Sequence, residues 1–407
     1  MRKSATETQS HLAFPDLLMK LRTLLFWTHL TAGVAAGLII LIMSVTGTLL
    51  MYERQLIEWS DRGYRSAAPA GTARLTIETL LARLAEQRPH DTPTALTLRS
   101  APAAPVAVTL SRTTVYQDAY TGRVLGEPST DVRFVMSELR AWHRWLALDG
   151  ESRPIGKAIS GWANVVFLFI VLSGIYLWLP RKWGWQNVRA VAFFRSGLRG
   201  KARDFNWHNV IGIWSAVPLA IVVVTAMPIS FPWANALVYR LVGETPPTPA
   251  AAVRANGSAR EVTRIHTDGL NALWARAEQQ VPDWRSINLR LPVSAEAPAL
   301  FTIDAGTGGQ PQLRSTLTLH PSTRAVIRWE PFAAQTLGRR IRSWTRFTHT
   351  GEYYGLIGQT VAGLVCVGAV FLVWTGLTLA LRRLFGRFSK PRASAIARRN
   401  SSKSEAA

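Results

Sequence analysis

Four stretches of the chain, residues 23–50, 158–180, 205–229 and 355–381, contain no Lys, Arg, Asp or Glu. Each is rich in Leu, Ile, Val, Ala and Gly. At roughly 1.5 Å per helical residue each is long enough to cross a hydrocarbon core of about 30 Å. The pattern predicts four transmembrane helices. Between the first and second, residues 51–157 alternate apolar and polar positions over Thr94–Leu98 and Val106–Leu110, as strands do. Between the third and fourth, residues 230–354 do the same over Ser286–Leu291 and Ala299–Ile303. Leu75–Leu81 and Leu270–Gln280 carry a helical period instead. The predicted fold is therefore membrane α-helical, with two small α+β modules held outside the bilayer.

Charge orients this arrangement. The chain has 407 residues with 47 Lys+Arg against 25 Asp+Glu, a net charge of +22. Such an excess could indicate nucleic acid, but its distribution follows the spans. Lys and Arg number four in residues 1–22, seven in 181–203 and eight in 382–407, while the remaining 28 are spread over the two long segments. Short basic flanks stay on the cytoplasmic side. Residues 1–22, the loop 181–204 and the tail 382–407 are accordingly expected in the cytoplasm. Segments 51–157 and 230–354 are then expected on the opposite side of the membrane. The lipid bilayer is the expected partner, and no nucleic acid is.

The two halves repeat. With His29 set on His208, Gly33 falls on Gly212 and Val45-Thr46-Gly47 falls on Val224-Thr225-Ala226. With Ser173-Gly174 set on Thr375-Gly376, Ile155-Gly156 lands on Ile357-Gly358, and Trp142-His143-Arg144-Trp145 lands on Trp344-Thr345-Arg346-Phe347. A unit of span, module, span, used twice in one orientation, implies a pseudo-twofold axis along the membrane normal. His320 takes the place of Asp118 in the repeated turn, so a capping role is expected for it.

Several of these motifs together carry a family resemblance. They are the His-x-x-x-Gly opening and Thr-Gly close of the first span; the turn Gln117-Asp118-Ala119-Tyr120-Thr121-Gly122-Arg123-Val124-Leu125-Gly126; Trp142-His143-Arg144-Trp145; the exit Leu177-Trp178-Leu179-Pro180-Arg181-Lys182-Trp183; and His349-Thr350-Gly351-Glu352. With them the chain resembles the PepSY-associated transmembrane helix family over residues 22–383. The resemblance implies that the modules are PepSY-like. It also implies a link to iron acquisition, since the family includes bacterial ferric-siderophore reductases that carry haem b.

The residues suggest where such chemistry would reside. There is one cysteine, Cys366, inside the fourth stretch, which excludes an intrachain disulfide, a covalent haem attachment and thiolate metal sites. Of eight histidines, only His29 and His208 fall within membrane-embedded sequence. An imidazole there is costly and faces a protein interior. At equivalent positions of symmetry-related spans, the two are a natural axial pair for one haem, which brings its own four nitrogens and needs only two protein ligands. Helix-to-helix hydrogen bonding is the alternative. His143 and His349 precede spans two and four and are expected to ligate a second haem near the other face. In the ungapped repeat His143 faces Thr345, while His349 stands one helical turn further on. Arg22 and Arg203 border the first pair, and Arg144, Arg342 and Arg346 the second, as candidate propionate partners.

The expected function is an inner-membrane haem-b oxidoreductase with two haems. It would take electrons from a cytoplasmic or quinol donor and pass them to a periplasmic acceptor, by the resemblance a ferric siderophore. The alternative is a cofactor-free PepSY membrane protein that regulates a peptidase or transporter.

Overall fold

The computed structural model describes residues 14–67, 69–111, 113–180, 183–247 and 266–388. His11, the stretch 248–265 and most of the basic tail lie outside them. The first helices are α1 (Phe14–Leu50), α2 (Glu53–Ser60), α3 (Ile77–Gln87), α4 (Thr130–Trp145) and α5 (Arg153–Trp178). They are followed by α6 (Trp185–Ala192), α7 (Gly200–Ser230), α8 (Pro232–Arg240), α9 (Leu270–Gln280), α10 (Leu337–His349) and α11 (Gly355–Phe388). The strands are β1 (Pro93–Arg99), β2 (Val106–Leu110), β3 (Thr114–Gln117), β4 (Val124–Gly126), β5 (Ser286–Arg290), β6 (Ala299–Asp304), β7 (Arg314–Leu319) and β8 (Val326–Pro331).

The chain divides into two compact units, one built from residues up to 48, 142–224 and 363 onward, the other from 49–141 and 225–362. The first unit holds most of α1, α5, α7 and α11. Four helical segments, Met19–Leu50, Gly150–Trp178, Gly200–Ser230 and Glu352–Phe385, are long and apolar enough to cross a membrane. Only 28% to 39% of each apolar window is buried inside the protein. Their outward faces therefore need an apolar solvent, since Leu38, Leu172, Val217 and Leu364 lie more than half exposed among the described residues. Inside, Val171, Leu219, Val223, Val365 and Ala369 form a packed cluster. Asn164 Nδ2 donates to the Val223 carbonyl at 3.0 Å, tying α5 to α7.

Prolines punctuate these helices as their missing N–H requires. Pro154 sits in the first turn of α5 and Pro232 in the first turn of α8, where no intrahelical donor is lost. The sequence places a break near Pro228 and Pro232, and α7 ends at Ser230.

The second unit differs from the expectation of two separate modules. The two segments contribute four strands each to one antiparallel sheet of eight, in the order β4-β3-β2-β1-β5-β6-β7-β8. Strand β1 pairs along β5, from Ala95 opposite Arg290 to Arg99 opposite Ser286. The alternation read from sequence dictates burial on one face only, and two half-sheets satisfy their open edges by pairing with each other. Helices α3 and α9 cover that face with Leu80, Leu84, Leu270 and Leu273 against Leu96, Ile287, Leu289 and Phe301, a single core. Their first turns exchange caps: Glu78 N donates to Asn271 Oδ1 and Asn271 N donates to Glu78 Oε1, each at 3.1 Å.

The two turns of the sheet are built alike. Asp118 Oδ1 accepts from the N–H groups of Tyr120 and Thr121, and His320 Nδ1 accepts from those of Ser322 and Thr323. His320 is therefore a cap, as the sequence predicts.

Candidate functional site

The site lies in the helical unit. His29 projects from α1 and His208 from α7, and both line one cavity of about 720 Å³ bordered by α1, α5, α7 and α11. The walls are apolar, with Phe26, Leu30, Phe167, Ile170, Leu219 and Leu372 among them.

Each imidazole is gripped in the same way. His29 Nδ1 stands 2.9 Å from Ser173 Oγ on α5, and His208 Nδ1 stands 3.0 Å from Thr375 Oγ1 on α11. The residue after each hydroxyl is glycine. A Cβ on Gly174 would meet His29 Cε1 at 3.4 Å, and one on Gly376 would meet His208 Cε1 at 3.3 Å. The rings therefore rest on bare backbone; a Cβ would crowd His208, and at Gly174 it would come into van der Waals contact with His29. Among the described residues, the Nε2 atoms of His29 and His208 have no hydrogen-bond partner.

Glycines also shape the cavity. Gly33, Gly37, Gly174, Gly212 and Gly376 line it, and a Cβ on Gly33 would meet no atom within 4 Å. Three cations, Arg22, Lys201 and Arg383, lie along the wall, and among the described residues no Asp or Glu does. Arg22 Nη2 donates to the carbonyls of Leu177 and Leu179 at 2.6 and 2.9 Å, closing the C-terminal end of α5. Arg383 lies 4.8 Å from the ring centres of both Phe26 and Trp27.

Arg203, which the sequence placed beside the first histidine pair, is engaged elsewhere. It donates to Asp204 Oδ1 at 2.8 Å and sits over Trp207. Arg382 approaches the other oxygen of the same buried carboxylate at 3.2 Å. Neither arginine lines the cavity.

His143, near the end of α4, belongs to the helical unit and is anchored in a similar way on α1. Its Nδ1 lies 3.1 Å from Thr46 Oγ1 and 3.0 Å from the Met43 carbonyl, and Gly47 lies beneath its Cε1. His349 closes α10 in the sheet-bearing unit. Its pairing with His143 stays an expectation of the sequence. Of the arginines proposed near them, Arg342 donates to Asn235 at 2.5 Å, while Arg144 and Arg346 stack on Trp145 and Phe347.

Sequence reasoning found His29, His208 and His143 but missed what holds them. In the sequence, Ser173 and Thr375 served as alignment anchors, Gly174 and Gly376 as small residues that leave room for a macrocycle, and Thr46-Gly47 as the close of the first span; none was paired with a histidine. A hydroxyl residue followed by glycine, recurring opposite a buried histidine, is the signal that finds the grip. Arg383 was hidden among the basic residues after the fourth span.

The donor set suits a flat, nitrogen-hungry cofactor better than a bare ion. Among the described residues no three His, Cys, Asp or Glu gather into a metal-binding group, whereas a bare ion needs three or four ligands. A cavity of about 720 Å³ lies within the roughly 300–1,000 Å³ that encloses molecules of cofactor size. Two imidazoles with free Nε2 atoms, glycine-lined walls and cations without lining acids fit a haem and its two carboxylates.

Four helices able to cross a bilayer, two of them presenting histidines to a shared apolar cavity, define a polytopic membrane protein. The chain belongs to the family described as the PepSY-associated TM region, whose model matches residues 26–383. Among curated proteins, none matches the chain.

Proposed function

We propose that this protein is an inner-membrane haem-b oxidoreductase that passes electrons to a periplasmic acceptor, with His29 and His208 as the residues that would hold one haem. One observation carries the reading: imidazoles from α1 and α7 line the same apolar cavity, each anchored through Nδ1 and each with Nε2 unengaged. Helix-to-helix hydrogen bonding alone would not call for a cavity of this size between them. When bound, a bis-imidazole haem supplies a one-electron carrier with no open coordination position, suited to transfer rather than to oxygen chemistry.

The chain's own groups do the rest. Ser173 and Thr375 hold the rings, the glycines leave room for a macrocycle, and the apolar walls exclude water. Arg22, Lys201 and Arg383 offer positive charge to the propionates. His143, held by Thr46 and Met43, is proposed as a ligand of a second centre. The equivalence of His29 on Ser173-Gly174 with His208 on Thr375-Gly376 supports the internal duplication read from sequence. The basic flanks support an orientation with both termini cytoplasmic.

Family resemblance supplies the acceptor class, a ferric siderophore. One electron converts chelated Fe(III) to Fe(II), which the chelate holds weakly. The donor is a cytoplasmic reductant or quinol. The test is anaerobic mixing of dithionite-reduced protein with ferric chelates. Reoxidation of the haem with matching release of Fe(II) is expected, and a reduced spectrum that persists with every chelate would exclude this activity.

A further inference from the structure

Ser173 and Thr375 each make bonds that leave their proton no freedom. Ser173 Oγ donates within α5 to the Phe169 carbonyl at 2.7 Å, with Ile170 at 3.2 Å. Thr375 Oγ1 donates within α11 to the Phe371 carbonyl at 2.7 Å, with Leu372 at 3.3 Å. A hydroxyl has one proton and two lone pairs. With the proton committed to the helix, each oxygen can only accept from the imidazole beside it. The ring proton must then sit on Nδ1, and in a neutral imidazole Nε2 is left with the lone pair.

His143 shows the same logic through a second acceptor. Thr46 Oγ1 donates to Ile42 at 2.7 Å, and the Met43 carbonyl, which can only accept, lies 3.0 Å from His143 Nδ1. That contact requires Nδ1–H without reference to the hydroxyl.

We infer that Ser173 and Thr375 are positioning residues that fix His29 and His208 as Nδ1–H tautomers, so that each presents an unprotonated Nε2 to the cavity. The adjacent glycines complete the device. With Nδ1 tied and Cε1 backed by Gly174 or Gly376, the atom joined to Cε1, Nε2, has its position set. The inference rests on the haem reading only for what the nitrogen binds. A Ser or Thr bonded back to its own helix is common; what sets the tautomer here is the imidazole Nδ1 within hydrogen-bond distance of that same oxygen.

The test reads the tautomer before any haem is supplied. Full-length protein carrying 15N-labelled histidine, in lipid nanodiscs, is examined by nitrogen NMR, with His29→Gln and His208→Gln assigning the two signals. Both histidines should show a protonated Nδ1 and a bare Nε2. Ser173→Ala should convert His29 alone to a mixture, and Ser173→Thr should restore it. Thr375→Val should do the same to His208, with Thr375→Ser restoring it. An Nε2–H tautomer in the unaltered protein would overturn the inference, as would a His29 signal that Ser173→Ala leaves pure. Haem added afterwards reads the functional proposal separately, because fixed tautomers without a Soret band uphold the positioning role and count against haem alone.

Discussion

His143 Nδ1 lies 3.1 Å from Thr46 Oγ1, and the same ring rests over Gly47. A histidine, a hydroxyl and the glycine that follows it thus recur three times in the helical unit, across α1 with α5, α7 with α11, and α4 with α1. The recurrence is hard to reconcile with incidental packing, because each case leaves the ring on bare backbone.

Filling the backing should therefore displace the ring. In Gly376→Leu the new side chain begins 3.3 Å from His208 Cε1 and must push it aside. Haem affinity should fall by at least about tenfold, as it does when groups that orient a metal ligand are disturbed. Haem titration against the unaltered protein measures this. Equal affinity would show that His208 does not need its present position.

A charged cluster in the sheet-bearing unit is expected to contribute to acid stability. Arg133 donates to both oxygens of buried Asp61, while Tyr116 Oη donates at 2.8 Å and Ser129 N at 2.9 Å. Burial pushes the Asp61 carboxyl up, but Arg133, Ser129 and Tyr116 together outweigh it and hold the group below its ordinary value. Burial and the Asp61 carboxylate push the Tyr116 phenol up to about 12, so it stays a donor. A depressed carboxyl stabilises the fold above its unfolded value of about 3.9, and that contribution fades as pH falls through the folded value. Asp61→Asn should cost about 2 kcal/mol at neutral pH, a figure reduced because Arg133 is partly exposed. It should also flatten the acid limb of a melting curve taken from pH 7 to pH 3. An unchanged acid limb would contradict the assignment.

One core serves both halves of the sheet. Leu289 on β5 is fully buried among residues from both segments. Leu289→Ala should cost about 2–5 kcal/mol and accelerate hydrogen exchange in β1–β3 as well as in β5–β7. Acceleration confined to β5–β7 would mean that the halves unfold separately.

Orientation is open to reporter fusions. A reporter joined after Glu58 should be active on the periplasmic side and one joined after Gly197 on the cytoplasmic side. The reverse pattern would invert the proposed direction of electron flow.

Much of this was legible in the chain. The four spans were written in charge-free runs, and strands β1, β2, β5 and β6 in strict alternation, because those periods answer to what each face touches. His29 and His208 stood out because an imidazole in apolar sequence needs a reason. The edge pairing of β1 with β5 was not legible, since alternation states which face of a strand is buried and says nothing about which strand lies beside it. Nor was the role of Ser173 or Thr375. A helix interior tolerates a hydroxyl that bonds its own backbone, and only the facing helix reveals a second partner. Arg203 misled because it stands close to His208 in sequence, but its neighbour Asp204 claims it.

The claim that one haem is gripped by His29 and His208 is tested most directly by the absorption spectrum of protein purified from haem-replete cells. The unaltered chain should show a Soret band and a sharp reduced α-band, and His29→Ala and His208→Ala should each abolish or shift the same component. A colourless protein, or a spectrum that neither substitution changes, would contradict it.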